Sequence, residues 1–195
     1  MSSQQAEPVT SKRRPYHGSC HCGKTRYIAY LTLPPTVIDS HATATSTVRI
    51  RKCNCSTCHK AGIFHVRLQD SPNDFVLLSP LNPEEALSDY RCFEAKTHWY
   101  FCGDCGVRCF AFRGEAEVRE QDVEGELKQI WAPKREGWVE GDGNSYLSVN
   151  AASLEPRQEG LDLSEWTEKG WIVYLDMLDE KEKNRLGKPH VGGMY

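Results

Sequence analysis

Seven of the nine cysteines in this chain of 195 residues lie in three short clusters. The clusters are Cys20 and Cys22, then Cys53, Cys55 and Cys58, and finally Cys102 and Cys105. Thiols separated by one or two residues can converge on one metal ion, and an odd number of cysteines leaves at least one without a disulfide partner under any pairing. The sequence therefore predicts metal sites, and the fold has to bring these clusters together around them.

The first and third clusters have the spacing of a structural zinc site. Cys102 and Cys105 enclose two residues and Cys20 and Cys22 enclose one, and a glycine follows each pair directly, which permits a sharp turn. A structural zinc ion takes four protein ligands in a tetrahedron. We expect the two pairs to form one four-thiolate zinc site that joins the first strand to a hairpin near the middle of the chain.

The middle cluster, Cys53, Cys55 and Cys58, supplies one ligand fewer than a closed site needs. Three protein ligands beside an open position are typical of a catalytic zinc ion, whose fourth ligand is water or substrate. The alternative is a second structural site that a histidine completes, and the candidates for that ligand are His21, His59 and His98. A redox or disulfide motif is disfavoured because no thioredoxin-like βαβ pattern surrounds the cluster.

Charge and hydropathy exclude several classes of partner. The net charge is -3 and the isoelectric point is about 6.2, so the chain lacks the excess of Lys and Arg that binds nucleic acid or an anionic membrane. No apolar segment approaches the roughly 20 residues that span a bilayer, and the N-terminal residues lack the apolar middle of a secretory signal. We expect a cytoplasmic protein whose thiols are reduced.

The apolar pattern predicts a mainly β domain with short helical segments. Alternating or short apolar runs bounded by turn residues predict strands at 25–33, 47–52, 63–68, 75–78, 90–93, 97–101, 107–112, 127–131, 146–149 and 171–175. One short helix is predicted at 163–168, capped by Asp162 or Ser164 and ended by Gly170. The cysteine clusters are expected to join strand to strand.

The polar segments predict loops and tails. The stretch at 34–46 and the acidic stretch at 115–126 are expected to be loops, since neither shows an apolar face. We predict a disordered N-terminal tail at 1–15, a single zinc-binding domain at 16–180 and a charged C-terminal tail at 181–195. Cys92 and Cys109 each lie beside aromatic strand residues, and we expect them to be small buried hydrophobes.

With its three cysteine clusters in this order, the chain resembles the glutathione-dependent formaldehyde-activating enzyme family, which includes the centromere protein V domain. The resemblance spans residues 17–155 and is carried by GSCHCGKTRY at 18–27, CNCSTCHKAG at 53–62, FCGDCGVRCF at 101–110 and the segment from Ser148 to Leu154. It implies a zinc-stapled β fold of the Mss4-like type with two zinc ions. Cys20, Cys22, Cys102 and Cys105 match the structural ligands, and Cys53, Cys55 and Cys58 match the catalytic set.

The resemblance also implies an activity. The family's named reaction joins glutathione to formaldehyde and is classed as a carbon-sulfur lyase, so the implied partners are glutathione and a small carbonyl compound. The loop at 34–46 and the acidic segment at 115–126 depart from compact members. A related enzyme for another glutathione adduct or small electrophile, and a non-catalytic zinc-stapled interaction module, are the alternatives. His59 and His65 are candidate proton carriers, and candidate partners for glutathione carboxylates are Arg49, Arg51, Lys52, Lys60 and Arg67.

Overall fold

The chain folds into two β-sheets, as a computed structural model shows for residues 10–178 and 184–192. The strands are β1 (Lys12–Ser19), β2 (Arg26–Leu33), β3 (Arg49–Cys53), β4 (Phe64–Arg67), β5 (Phe75–Ser79), β6 (Ser88–Tyr90), β7 (His98–Phe101), β8 (Phe110–Arg113), β9 (Ala116–Val123), β10 (Glu126–Pro133), β11 (Tyr146–Asn150), β12 (Ile172–Leu175) and β13 (Arg185–Leu186). The helices are short: α1 (Ser56–Ala61), α2 (Ser71–Asp74), α3 (Pro83–Ala86) and α4 (Leu163–Glu168), with a 3-10 turn at Ala151–Ser153. The prediction of a mainly β fold with short helices is confirmed.

The strands of each sheet are not in sequence order, so segments that are distant in the chain become neighbours. The five-stranded sheet has the order β1-β2-β5-β10-β9, and the eight-stranded sheet has the order β13-β12-β3-β4-β11-β8-β7-β6. Between the described strands every pairing is antiparallel except that of β12 with β3. This parallel pair brings residues near the end of the described chain next to the strand that ends in Cys53.

The main hydrophobic core lies between the two sheets. Because successive side chains of a strand point to opposite faces, one face of each sheet contributes to this core. The five-stranded sheet contributes Tyr27, Ala29, Leu31, Phe75 and Leu77, and the eight-stranded sheet contributes Ile50, Phe64, Val66, Leu147 and Val149. A separate apolar cluster that contains Cys53, Cys58, Ile63, Trp99 and Ala111 lies on the other face of the eight-stranded sheet. That outer face is where the candidate site is found.

Most local predictions are confirmed. Each predicted strand segment overlaps an observed strand, although 90–93 shares only Tyr90 with β6. Helix α4 has the predicted bounds, Asp162 caps it by accepting a hydrogen bond from the Ser164 backbone N–H, and Gly170 follows it with φ of 69°. Residues 34–46 form a loop as expected. No helix in the described part of the chain is long and apolar enough to cross a membrane.

The prediction of a disordered tail up to residue 15 is wrong for its last part. Residues 12–15 belong to β1, which pairs with β2 along its whole length, and the fully buried Tyr16 anchors the strand in the core. Arg13 adds an ion pair with Asp74 at 2.9 Å. Residues 12–15 show no apolar periodicity, and they are ordered because their backbone forms hydrogen bonds with the neighbouring strand β2. Residues 1–9 lie outside the described residues.

The acidic stretch at 115–126 is also not a loop. It forms β9 and the start of β10, joined by a tight turn at Glu124 and Gly125 with φ values of 57° and 85°. Strand β9 is the edge of the five-stranded sheet, where charged side chains are tolerated and discourage pairing with other chains. The charged side chains of β9 gave no strand pattern in the sequence, since the buried apolar residues of this hairpin are mainly in its partner, β10.

The predicted C-terminal tail is ordered where the structure describes it. Strand β13 pairs with β12 through Leu186 and Arg185, and His190 is buried with its Nε2 3.2 Å from the backbone oxygen of Tyr174. The backbone groups of β12 that do not face β3 pair with β13, and these hydrogen bonds explain why a charged segment is ordered here. Residues 179–183 and 193–195 of the predicted domain end and tail lie outside the described residues.

Candidate metal centres

The four cysteines predicted to form one site do converge. The sulfurs of Cys20, Cys22, Cys102 and Cys105 all lie within 4.8 Å of one another. Cys22 Sγ is 3.6 Å from Cys20 Sγ and 3.5 Å from Cys102 Sγ. Zinc–sulfur bonds of about 2.3 Å in a tetrahedron place the sulfurs about 3.8 Å apart, whereas a disulfide bond is about 2.05 Å long. The spacing therefore fits a shared metal ion, and this group can hold one.

Two turns of the same kind hold these sulfurs. The backbone N–H of Gly23 donates to Cys20 O at 2.9 Å, and that of Gly106 donates to Cys102 O at 2.8 Å. Gly23 and Gly106 adopt the left-handed backbone conformation, with φ of 76° and 73°. This conformation is unfavourable for residues that have a Cβ atom. The Thr25 backbone N–H donates to Cys20 Sγ at 3.2 Å. Burial opposes ionisation of Cys20, but the hydrogen bonds from Thr25 outweigh it and bring the pKa of this thiol to about 6.

This four-cysteine site ties the two sheets together. Cys20 and Cys22 lie in the connection between β1 and β2 of the five-stranded sheet. Cys102 and Cys105 follow β7 of the eight-stranded sheet. An ion pair between Lys24 and Asp104, 3.1 Å long, links the same two turns at the surface. The predicted stapling role is therefore matched by the position of the site in the fold.

The three-cysteine cluster is built on a strand end and a helix start. Cys53 ends β3, Cys55 is the N-cap of α1, and Cys58 is buried within α1. The expectation that cysteine clusters join strand to strand is wrong here, since α1 follows this one. A sequence signal for the helix was present in Gly62, which ends it in the left-handed conformation with φ of 63°.

The sulfurs of Cys53, Cys55 and Cys58 lie within 4.8 Å of one another, and no His, Asp or Glu of the described residues joins that group. Hydrogen bonds from the Cys53 and Cys58 thiols lower the pKa of Cys55 to about 2, and its bond to Cys55 raises the pKa of Cys53 to about 11. Hydrogen bonds to both neighbours also raise the pKa of Cys58. Without a cation, only Cys55 of the three is therefore readily ionised. A soft divalent metal ion would allow all three cysteines to bind as thiolates, and a set of three sulfur donors fits such an ion.

A histidine supports the cluster from outside the ligand group. His65 Nε2 lies 3.1 Å from Cys58 Sγ, and His65 Nδ1 lies 2.8 Å from Ser148 Oγ. Burial lowers the pKa of His65 to about 4, assisted by the charge of Arg67, so the ring is neutral near pH 7. His65 was a candidate proton carrier, and its observed contacts are those of a residue that holds Cys58 in place.

None of the three histidines considered as a fourth ligand joins the group formed by the Cys53, Cys55 and Cys58 sulfurs. His21 and His59 are exposed, and His98 Nδ1 is 2.9 Å from Asp89 Oδ2. The two cysteines outside the clusters also differ from each other. Cys109 is buried as expected, whereas Cys92 is only partly buried, with its Sγ 3.7 Å from Thr57 Oγ1.

A cavity of about 390 Å³ opens beside the three thiols. Strand register explains its lining, because residues opposite each other in an antiparallel pair project from the same face. Arg51 is opposite His65 and Arg49 is opposite Arg67, and these side chains share the outer face with Cys53. The wall is formed by Arg51, Cys53, Cys55, Cys58, His65, Arg67, Phe93, Trp99, Tyr146, Leu175 and Met177.

Much of this wall was not identified from the sequence. Trp99 was not singled out in the sequence as a site residue, and its ring meets the His65 ring edge-on with centroids 6.0 Å apart on the outer face. Leu175 reaches the site through the parallel pairing that sets it beside Cys53. One sequence pattern could have predicted part of the wall. Arg49, Arg51 and Cys53 alternate along β3, so the two arginines lie on the same face of the strand as a candidate metal ligand.

Comparison with known proteins adds little to these observations. No protein-family model matches the chain, and no curated protein matches it. A crystal structure of a Rhodobacter sphaeroides protein is similar, with 19% identity and a TM-score of 0.40 over 73% of this chain and 91% of that one. The function is therefore argued from the residues of the site.

Proposed function

We propose that the protein is a zinc-dependent carbon-sulfur lyase that adds a thiol, glutathione in the first instance, to a small carbonyl compound such as formaldehyde. The observation that supports this most directly is the three-cysteine cluster at the wall of a cavity. Its donor set is one short of a tetrahedron, so a ligand in the cavity completes it. The four-cysteine site has no such shortage and serves the fold.

Each part of the site has a distinct task in this proposal. A zinc ion bound by Cys53, Cys55 and Cys58 would supply a positive charge that stabilises the thiolate form of a thiol ligand near neutral pH. His65 orients Cys58: when that cysteine is a thiolate, His65 Nε2–H donates to it and Nδ1 accepts from the Ser148 hydroxyl. Trp99, a buried side chain of the wall, limits the access of water to the reacting atoms.

The reaction balances without an oxidant or a reductant. A bond forms between the thiol sulfur and the carbonyl carbon while the π bond of the carbonyl breaks, and the thiol proton ends on the carbonyl oxygen. Neither histidine considered as a proton carrier is placed to supply that proton: His59 is exposed outside the cavity lining, and the neutral ring of His65 is held between two partners. In this proposal the proton passes through bulk solvent.

The proposal is tested by the rate at which glutathione and formaldehyde exchange with their adduct, followed by exchange NMR. Wild-type protein should bind two zinc ions and accelerate the exchange. Cys55→Ala should bind one zinc ion, remain folded and lose the acceleration. Cys109→Ala removes a buried thiol outside both clusters and serves as the matched control, which should keep two zinc ions and the activity. Retained acceleration in Cys55→Ala would contradict the proposal.

The wall favours carbonyl compounds larger than formaldehyde as a second candidate substrate class. Phe93, Trp99, Leu175 and Met177 give the cavity an apolar side that a one-carbon electrophile does not fill. A series of aldehydes of increasing chain length, each assayed with glutathione, separates the two. A rate that rises with chain length assigns the larger substrate, and a rate that is highest for formaldehyde assigns the smaller one.

A further inference from the structure

The same face of the sheet that carries the three-cysteine cluster also carries three arginines. Arg49 and Arg51 alternate with core residues along β3, and Arg67 lies opposite Arg49 on β4. Arg49 and Arg67 are each only 8% exposed. Three guanidinium groups therefore lie close together in a region that is largely removed from water, an arrangement that costs free energy unless an anion compensates it.

Among the described residues, no ion pair involves any of these three arginines. The Nε atoms of all three are buried without a hydrogen-bond partner in the same part of the chain. The guanidinium carbon of Arg67 lies 3.9 Å from the centroid of the Tyr146 ring, and this stacking fixes the plane of the guanidinium group. The buried Nε atoms are out of reach of a ligand, whereas the terminal nitrogens of Arg51 and Arg67 are not among the buried unpartnered atoms and can face the cavity that these two residues line.

Two acidic side chains lie beside the cluster and do not neutralise it. Asp39 shares a small adjoining cavity with Arg49 and Arg51, but it is exposed and accepts a hydrogen bond from the His41 backbone N–H. Glu140 Oε1 accepts from the Ser71 backbone N–H and from Trp138 Nε1. Burial, together with the charges of Arg67 and Arg51, lowers the pKa of Arg49 to about 10, and the charge of Glu140 offsets only part of this effect.

Arg51 and Arg67 line the cavity that the three thiols also line. We propose that these two arginines bind a carboxylate of the molecule that reacts at the three-cysteine cluster. The substrate class is then a thiol that carries a carboxylate, with its sulfur directed to the cysteines and its carboxylate to the guanidinium edges. Arginine suits this role because its fork donates two parallel hydrogen bonds to a carboxylate. The inference rests on the proposed function and specifies the substrate of the same site.

Calorimetric titration of the two-zinc protein with S-methylglutathione tests the arginines separately from the chemistry, because this probe keeps both carboxylates and has no free thiol. Wild-type protein should bind it, and Arg51→Gln and Arg67→Gln should bind it about 10- to 100-fold more weakly, the loss expected for a charge-assisted hydrogen bond. Arg26→Gln is the control, since Arg26 is exposed on the other sheet. It should bind as the wild type does.

The dimethyl ester of S-methylglutathione and inorganic phosphate complete the experiment. The ester should bind weakly to every variant. Equal affinity of ester and acid, or displacement of the acid by phosphate at equal concentration, would overturn the assignment of a carboxylate site. Thermal unfolding without ligand separates a purely structural role: removal of one of three uncompensated cations should leave the midpoint unchanged or raise it, and a fall of several degrees in both variants would count against the proposal.

Kinetic and binding data distinguish a failure of the lyase proposal from a failure of the carboxylate-site proposal. If Arg51→Gln and Arg67→Gln raise the KM for glutathione and leave kcat close to the wild-type value, both proposals stand. If wild-type protein accelerates adduct formation and both variants have an unchanged KM, the carboxylate site fails and the lyase proposal stands. If the wild type binds S-methylglutathione through the arginines and accelerates nothing, the lyase proposal fails and the carboxylate site stands.

Discussion

We expect the two candidate metal centres to differ in what their loss does to the fold. Replacing Cys102 by alanine removes a fully buried ligand from the four-cysteine site, which joins the turn after β1 to the end of β7. Replacing Cys55 removes a ligand from a cluster on the outer face of one sheet, away from the interface between the sheets. We therefore expect Cys102→Ala to be unfolded at 25 °C and Cys55→Ala to be folded.

The magnitudes support this contrast. Metal binding to structural zinc sites contributes about 10–16 kcal/mol in small zinc-dependent peptides, whereas domains are stable by only about 5–15 kcal/mol. Losing the four-cysteine site therefore removes free energy comparable to the whole stability of the protein. Apart from the stabilisation lost with the second ion, the structural loss in Cys55→Ala is the N-cap hydrogen bond from the Cys58 backbone N–H to Cys55 Sγ, which is 3.5 Å long. An N-cap stabilises by about 1 kcal/mol, which corresponds to a fall in Tm of about 2–4 °C in a protein of this size.

Differential scanning calorimetry with zinc analysis measures both effects. The wild type and Cys109→Ala should show one cooperative transition with two zinc ions bound. Cys55→Ala should show a similar transition at slightly lower temperature with one zinc ion bound, and Cys102→Ala should show none. Equal destabilisation by Cys55→Ala and Cys102→Ala would refute the assignment of a structural role to one centre and an open role to the other.

Three further predictions concern single side chains. Trp166→Ala should lower the free energy of unfolding by about 3–5 kcal/mol because the indole is fully buried, and thermal unfolding with a change below about 1 kcal/mol would contradict that packing. Glu124→Asn should raise the free energy of unfolding by about 0.5–1 kcal/mol because asparagine tolerates the φ of 57° at this hairpin turn, which urea titration can measure. His65→Ala should weaken metal binding at the three-cysteine cluster about 10- to 100-fold, since His65 supports Cys58 from outside the ligand group. Competition with a chromophoric chelator measures this affinity, and an unchanged affinity would contradict the supporting role of His65.

The division of the seven clustered cysteines into four and three was predictable because ligand number is a property of the metal. Four thiolates close a tetrahedron and three do not, whatever the surrounding fold. The convergence of Cys20 with Cys102, which are far apart in sequence, followed from their spacing pattern alone, and the structure places their sulfurs in one group.

The parts that were missed depend on pairing partners. The first half of β1 was assigned to a tail and β9 to a loop because neither shows an apolar face, but a strand at the edge of a sheet can take its order from one neighbour's backbone. Helix α1 was missed because six residues are too few to show a helical period. Local pattern reports what a segment prefers by itself, and these segments are ordered by contacts that are distant in sequence.

The cavity wall was the least predictable feature for the same reason. Leu175 and Met177 reach the cysteines only because β12 pairs in parallel with β3. Nothing in the sequence near either segment indicates that pairing. The arginines were noticed as neighbours of the cysteines in sequence, but their lack of acidic partners among the described residues emerged only when the register of β3 and β4 placed them on one buried face.

The parallel pairing of β12 with β3 also sets an order of events during synthesis. All four sulfurs of the four-cysteine site leave the ribosome before β12 does, so that site can acquire its metal ion while the chain is still growing. Until β12 arrives, β3 is the edge of its sheet, and the three thiols at its end lack the wall that Leu175 provides. We therefore expect the newly made chain to pass through an interval in which the three-cysteine cluster is most open to metal delivery and most vulnerable to oxidation.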